Sequence, residues 1–284
     1  MVEPVRHKKI AIASGKGGTG KTTVAVNLAL AANRELTLLD CDVEEPNAHL
    51  FLKTEWNARK PVKLRKPVVK SEECISCGRC AEACKFNAIV VAKTAMVFYE
   101  LCHACGGCSL ICPTDAIEEE EREVGSTRTG ICGKLTVADG YLNVGEPQAP
   151  PVIAAVMEHY EPSLPVIIDA PPGTGCSAVE TINNCDFALM VTEPTPFGLN
   201  DLELSLEMAE KLEVPSAVLI NRSDLGDGDV KDLCSARGVE VVGEIPFDRK
   251  LAEAYSRGIP AVEADEHYRE FFSVLYEKIT ELSK

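Results

Sequence analysis

The stretch that decides the fold is Ser14–Thr23, "SGKGGTGKTT". Gly15, Gly20, Lys21 and Thr22 in it have the spacing G-x-x-x-x-G-K-[ST] of a phosphate-binding loop. Its glycines let backbone N–H groups curl around phosphate oxygens. Lys21 would neutralise the charge on the β and γ groups, and the Thr22 hydroxyl would ligate Mg2+. The candidate nucleotide contacts are therefore Gly15, Lys16, Gly17, Gly18, Thr19, Gly20, Lys21, Thr22 and Thr23. Lys16 is one lysine more than this chemistry requires.

Working outward, "KKIAIAS" ahead of the loop is a short apolar run. "KTTVAVNLALAANR" after it has helical periodicity, with Val24, Leu28 and Ala32 on one face. "ELTLLDCD" predicts a second buried strand that ends in Asp40 and Asp42. Strand, glycine loop, helix and strand open a parallel α/β sheet. Further along, "PVIIDA", "FALMVTEP", "SAVLINRSD" and "VEVVGEIPF" read as strands. "PVIAAVMEHY" and "DLELSLEMAEKL" read as helices, and "GKLTVADGYLNVG" as a hairpin around Asp139 and Gly140. Asp169 ends the strand in "VIIDAPPGTG". Carboxylates at strand ends near the phosphates can hold Mg2+ through water and orient an attacking water. In the C-terminal "DEHYREFFSVLYEKITELSK", Phe271, Leu275, Tyr276, Ile279 and Leu282 share a helical face. Its mixed charges suit a helix docked on the sheet, because a membrane-surface helix wants a basic polar face.

Between these parts the composition changes. "NARKPVKLRKP" carries a basic run with Pro61 and Pro67 and reads as an exposed extended linker, either a solvated hinge or a docking patch for an acidic partner. Then Cys74, Cys77, Cys80 and Cys84 follow C-x2-C-x2-C-x3-C, and Cys102, Cys105, Cys108 and Cys112 repeat the run 28 residues later. Ala88, Ile89 and Asn87 recur as Ala116, Ile117 and Asp115, so the unit is duplicated. A pair of zinc sites is the competing reading, although zinc knuckles usually pair two C-x2-C units across a longer gap.

The 284 residues suffice for one sizeable α/β core with an attachment. A formal net charge of −15 repels phosphate backbones and anionic lipid, so no nucleic-acid or membrane partner is expected. The N-terminal "MVEPVRHKKIAIAS" has no long apolar run, and the chain is expected to be cytoplasmic. Thirteen cysteines in that compartment point to metal ligation rather than disulfides.

The cysteine spacing resembles bacterial-type two-cluster ferredoxins, in which the fourth cysteine of each run ligates the other cluster. The resemblance implies one 4Fe–4S cluster on Cys74, Cys77, Cys80 and Cys112, and a second on Cys102, Cys105, Cys108 and Cys84. Pro113 matches the proline that follows the fourth cysteine in that pattern, and Lys85 departs from it.

"GKGGTGKTT", "LLDCDVEEPN" and "DAPPGTG" resemble the MinD/Mrp group of deviant Walker A ATPases, related to the nitrogenase iron protein. With the cysteine repeat, the chain is similar to the subgroup carrying an inserted ferredoxin domain. The resemblance implies an α/β fold, a mostly parallel P-loop NTPase sheet flanked by helices, with a small α+β ferredoxin domain at 67–121 between ATPase parts 1–66 and 122–284. It implies Mg2+-dependent ATP hydrolysis, in which Lys21 and Thr22 bind phosphate and Mg2+, Asp42 orients the water and Asp169 supports the metal. Lys16 would reach the partner's phosphates across a nucleotide-dependent homodimer. Asn221 in "NRSD" has the spacing of the guanine-reading N-K-x-D signature, yet the resembling family uses ATP with this amide on adenine. Cys185 and Cys234 read as packed thiols. Cys176, seven residues after Asp169, is either a structural thiol or, as in the nitrogenase iron protein, a cluster ligand.

The expected function is nucleotide-gated electron transfer from two 4Fe–4S clusters to a redox or iron–sulfur partner protein. Cluster assembly or delivery of the Mrp type is the alternative, and the C-terminal C-x-x-C of those scaffolds is missing here. A MinD- or ParA-like positioning ATPase stands third.

Overall fold

Seven parallel strands form the centre of a computed structural model that describes residues 8–226 and 229–283. The segment 1–7, read above as lacking an apolar leader, and the final Lys284 lie outside the described residues. The strands of the parallel part are β1 (Lys9–Ala13), β2 (Leu36–Asp40), β8 (Leu135–Leu142), β9 (Val166–Asp169), β10 (Phe187–Thr192), β11 (Ser216–Asn221) and β12 (Glu240–Ile245). Their order across the sheet is β12-β11-β10-β1-β9-β2-β8. Three antiparallel strands extend the β8 edge: β7 (Ile117–Cys132) beside β8, with β3 (Glu55–Trp56) and β4 (Lys60–Val69) on its far side.

Strands covered on both faces read as continuous apolar runs, and β2, β9 and β10 are buried throughout. One face is covered by α1 (Lys21–Ala31), α9 (Ala261–Ala264) and α10 (Glu266–Leu282), which pack Val24, Leu28, Phe272 and Ile279 against Ile12 and Leu38. The other carries α4 (Pro150–Met157), α5 (Cys176–Ile182), α6 (Pro196–Lys211) and α7 (Asp229–Arg237). The short α8 (Arg249–Tyr255) follows β12. Helix α1 is buried almost all round because α10 lies over it, with Ser273 Oγ donating to the Ala31 carbonyl. The buried face of α10 is therefore rotated from the one read in the sequence. Tyr268 and Phe272 are inside, Phe271 is half-buried and Leu282 is exposed.

Two further expectations are corrected. Asp139 and Gly140 lie within β8, and the hairpin turns at Gly133–Lys134 instead. Asp139 is buried and accepts the Arg128 fork, Nε and Nη2 each at 2.8 Å, so it is not free to serve a turn. The basic stretch is likewise no linker. Most of it is β4, whose side chains face the acidic run of β7: Lys63 to Glu121 and Arg65 to Glu119, with Lys70 just past the strand reaching Glu118. The acidic partner of the basic run is in the same chain. Pro61 and Pro67 fit because β4 is an edge strand.

β4 and β7 leave the main sheet together as a two-stranded ribbon. At the exit, Val62 faces Gly125 and Lys63 faces Glu123, so Val124 is an extra residue on β7. Such a bulge bends a ribbon and increases its twist. Beyond it lie α2 (Arg79–Ala83), α3 (Gly107–Leu110) and the hairpin β5 (Ile89–Val91) with β6 (Ala95–Val97). The positions 66/67 and 121/122 fall inside the two ribbon strands. Among the described residues no helix is long and apolar enough to cross a membrane.

Candidate functional site

The phosphate-binding loop sits between the end of β1 and the start of α1. Gly15 has no room for a side chain, because a Cβ there would lie 2.2 Å from the Asp201 carbonyl of α6. Gly20 has φ +97 and faces the Asn221 amide, where a Cβ would come within 2.6 Å. Gly17, Gly18, Gly20, Lys21, Thr22 and Thr23 line a cleft of about 460 Å³ whose opposite wall comes from the ends of β11 and β12 and from α8. That volume falls within the usual range for ligand pockets.

Lys21 is buried. Burial lowers its pKa, while the carboxylates of Asp169, Asp42 and Asp40 pull it up. The three aspartates differ in use. The Asp40 carboxylate accepts from the backbone N–H groups of Asp42, Asn47 and Ala48 at 3.2, 3.0 and 2.9 Å, which holds the loop after β2. Asp42 lines the cleft; burial pushes its carboxyl up to about 6, against the Lys21 charge. Asp169 is fully buried, and burial pushes it up to about 7 despite the Thr22 hydroxyl and Lys21 nearby. Neither Asp169 oxygen has a geometrically satisfactory hydrogen bond.

Lys16 is absent from the lining of this cleft. Its ammonium lies 3.8 Å from Glu193 at the end of β10, with the side chain 31% exposed. Arg222 holds the other Glu193 oxygen at 2.7 Å. Asn221 donates its amide to the Thr19 carbonyl at 2.8 Å, so it fastens the loop as well as lining the cleft. Asp224 of "NRSD" accepts from the Phe247 N–H at 2.6 Å and anchors the segment after β12. Sequence reasoning missed the wall formed by Arg222, Pro246, Phe247, Leu251 and Tyr255. The one available signal was position, since ligands bind beyond the carboxyl ends of parallel strands.

At the end of the ribbon, Cys74, Cys77, Cys80 and Cys112 line one small cavity with Ile75, Pro113 and Ile117. Three come from the first run and the fourth from the second. The 28-residue repeat is also a repeat of backbone. Ser76, Gly78 and Asn87 have positive φ, as do Ala104, Gly106 and Asp115. The pairing Ile89↔Val97 recurs as Ile117↔Val69, so the inner end of the β4/β7 ribbon is the counterpart of the β5/β6 hairpin. Backbone N–H groups point at sulfur: Ala88 to Cys84 at 3.3 Å and Ala104 to Cys102 at 3.5 Å. N–H groups of Ala95 and Ser76 hold the Cys74 thiol below its usual range. Burial pushes Cys112 up, but N–H groups of Thr114, Ala116 and Ile117 outweigh it. Burial raises Cys80, beside Cys74 and Cys77, and Cys108, beside Cys102. Among the described residues no three His, Cys, Asp or Glu side chains are placed to share one metal ion.

The other cysteines are separate. Cys41 and Cys234 are buried, Cys185 is pushed up to about 12 by burial, and Cys132 is half-buried. Cys176 is exposed at the start of α5, which removes the structural-thiol reading.

Residues 10–261 match the CobQ/CobB/MinD/ParA nucleotide binding domain. A Methanocaldococcus jannaschii protein is 33% identical over 278 residues, covering 96% of each chain. The iron–sulfur cluster carrier protein of the same organism is 26% identical, across 98% of this chain and 85% of its own length. Among solved structures, the septum site-determining protein MinD of Pyrococcus horikoshii, complexed with Mg-ADP, aligns over 96% of each chain with a TM-score of 0.59 and 20% identity. At that identity the likeness is one of fold.

Proposed function

Since the chain belongs to the CobQ/CobB/MinD/ParA nucleotide-binding family, we propose that it is a Mg2+-dependent ATPase. Its nucleotide state governs two 4Fe–4S clusters that pass electrons to a partner protein. The observation that carries the reading is the crossed cysteine set, Cys74, Cys77 and Cys80 with Cys112, on a ribbon continuous with the sheet that holds the phosphate loop.

The loop N–H groups and Lys21 bind the phosphates. The Thr22 hydroxyl and Asp169 would hold Mg2+, and the Asp169 oxygens, which lack hydrogen-bond partners, suit a divalent cation. When bound, Mg2+ would neutralise negative charge on the phosphates. Asp42, beside Lys21, orients the attacking water. Lys16, paired with Glu193 outside its own cleft, is offered to the phosphates of a second copy in an ATP-dependent homodimer. Asn221 and the Pro246–Phe247 wall enclose the base.

The cysteine module, residues 67–121, fits clusters rather than zinc. Four cysteines line one cavity, and among the described residues no set converges on a single ion as zinc at about 2.3 Å from each sulfur demands. By the backbone repeat, Cys84 completes the set of Cys102, Cys105 and Cys108. The clusters supply one-electron chemistry.

A second reading, cluster delivery, is favoured by the similarity to proteins named iron–sulfur cluster carriers. One experiment separates the two. Anaerobically purified protein should hold about eight iron and eight sulfide per chain, two 4Fe–4S clusters. It is then reduced with dithionite, freed of excess reductant, and incubated with ATP and, in parallel, with an apo-ferredoxin or with an oxidised, cluster-loaded ferredoxin. Iron retained by this chain together with electron transfer to a cluster-loaded acceptor supports the first reading; iron appearing in the acceptor supports delivery. Stoichiometric zinc would end both.

A further inference from the structure

Resting on the coupling reading above, we propose that residues 142–148 are a strap joining the Asp42 loop to the second cysteine set. Gln148 is the positioning residue at its far end.

At the near end, the Leu142 N–H donates to the carbonyl of Val43, the residue after Asp42, at 2.8 Å. Asn143 then fastens the strap to the ribbon bulge. Its N–H donates to the Val124 carbonyl at 2.9 Å and its amide to the Glu123 carbonyl at 3.0 Å. Val144 and Gly145 cross exposed to solvent. Glu146 grips the buried Lys66 of β4 at 2.5 Å. Gln148 donates its amide to the Cys102 carbonyl at 3.1 Å.

Seven residues therefore connect the neighbour of the water-orienting carboxylate to the first ligand of the second set. Fully extended they would span at most about 25 Å. The strap matters because beyond Val124 the module hangs on a ribbon only two strands wide, which bends at its bulge. A second attachment fixes its direction. That attachment ends on the second set, the one containing Cys102. An N–H dipole held beside a ligand's backbone would stabilise added negative charge, and so would raise the potential of a cluster held there. A nucleotide that binds two positions of the Asp42 loop with different affinity would move this contact.

The test is an EPR-monitored redox titration of cluster-loaded full-length protein, with ADP and with a non-hydrolysable ATP analogue. Cys105→Ser marks the signal of the second cluster. Wild type should show a nucleotide-dependent shift confined mainly to that cluster. Gln148→Leu should lower its midpoint without nucleotide and abolish the shift. Two glycines inserted after Val144 should keep the nucleotide-free midpoint and still abolish the shift, because the bond remains while the strap goes slack. Wild-type shifts in both variants would overturn the strap and leave coupling standing. Equal shifts at both clusters would also overturn it. No shift in wild type would remove the strap and the coupling together.

Discussion

Asp40 and Asp42 are two residues apart and are used differently. The first spends its carboxylate on three backbone N–H groups; the second lines the cleft. "LLDCD" carries no mark that separates them, because the distinction depends on how the chain turns after Asp40. Asp169 adds an energetic consequence. Its pKa is about 7 in the folded chain against 3.8 for an ordinary carboxyl. Through that window the folded state keeps a proton that the unfolded state has released. Its contribution to stability therefore falls as pH rises from about 4 to about 7 and then levels off. Asp169→Asn, which cannot charge, should flatten the dependence, as should saturating Mg-ATP, which pairs the charge. Urea midpoints measured at several pH values on cluster-loaded protein check this. An Asp169→Asn profile parallel to that of wild type would sink it.

At the scale of elements, the ribbon decides how the module is held. Lys66 is 2% exposed in a strand whose other basic side chains reach solvent, and Glu146 of the strap is its partner. Removing Glu146 leaves the fully buried Lys66 charge uncompensated, whereas replacing Lys66 by an apolar chain of similar volume leaves only a carboxylate that water still reaches. Glu146→Ala should destabilise the fold by about 3 kcal/mol, and Lys66→Met by under about 1 kcal/mol. Chemical denaturation of the two variants, with equal iron content verified, measures the difference. Equal losses would mean that the pair acts by packing alone. The strand character of this stretch was hidden by its prolines and charges, which read as a linker. Their partners are far along the chain: the facing run Glu118–Glu123 for Lys63 and Arg65, and Glu146 for Lys66.

At the scale of the whole molecule, Lys16 and Lys21 make contrasting predictions. Lys21 is buried among carboxylates in its own cleft, while Lys16 lies outside that cleft beside Glu193. Lys21→Ala should weaken ATP binding about ten- to a hundredfold through loss of a charge-assisted contact. Lys16→Ala should bind ATP normally yet lose at least about a thousandfold in turnover, the loss expected when a cationic finger supplied in trans is removed. It should also lose the ATP-induced dimer. Equilibrium nucleotide binding, steady-state hydrolysis and sedimentation with and without ATP make the comparison. Normal turnover by Lys16→Ala, with an unaltered dimer, would show that its charge stays within one protomer.

The sequence by itself determined the phosphate loop, the parallel strands and the duplicated cysteine unit. Each is written in contiguous residues: a loop whose backbone binds phosphate, an apolar run buried on both faces, a spacing that returns three thiols to one side. The tertiary structure alone decided what the Asp40 carboxylate holds, what walls the cleft, and where the cysteine module is tied. Those are meetings between distant residues, such as Gln148 and Cys102, 46 positions apart, or Asn221 and Thr19, 202 apart. Short-range patterns set the direction of a chain segment, but side chains that bear no mutual sequence signal meet only when the sheet order brings their segments together.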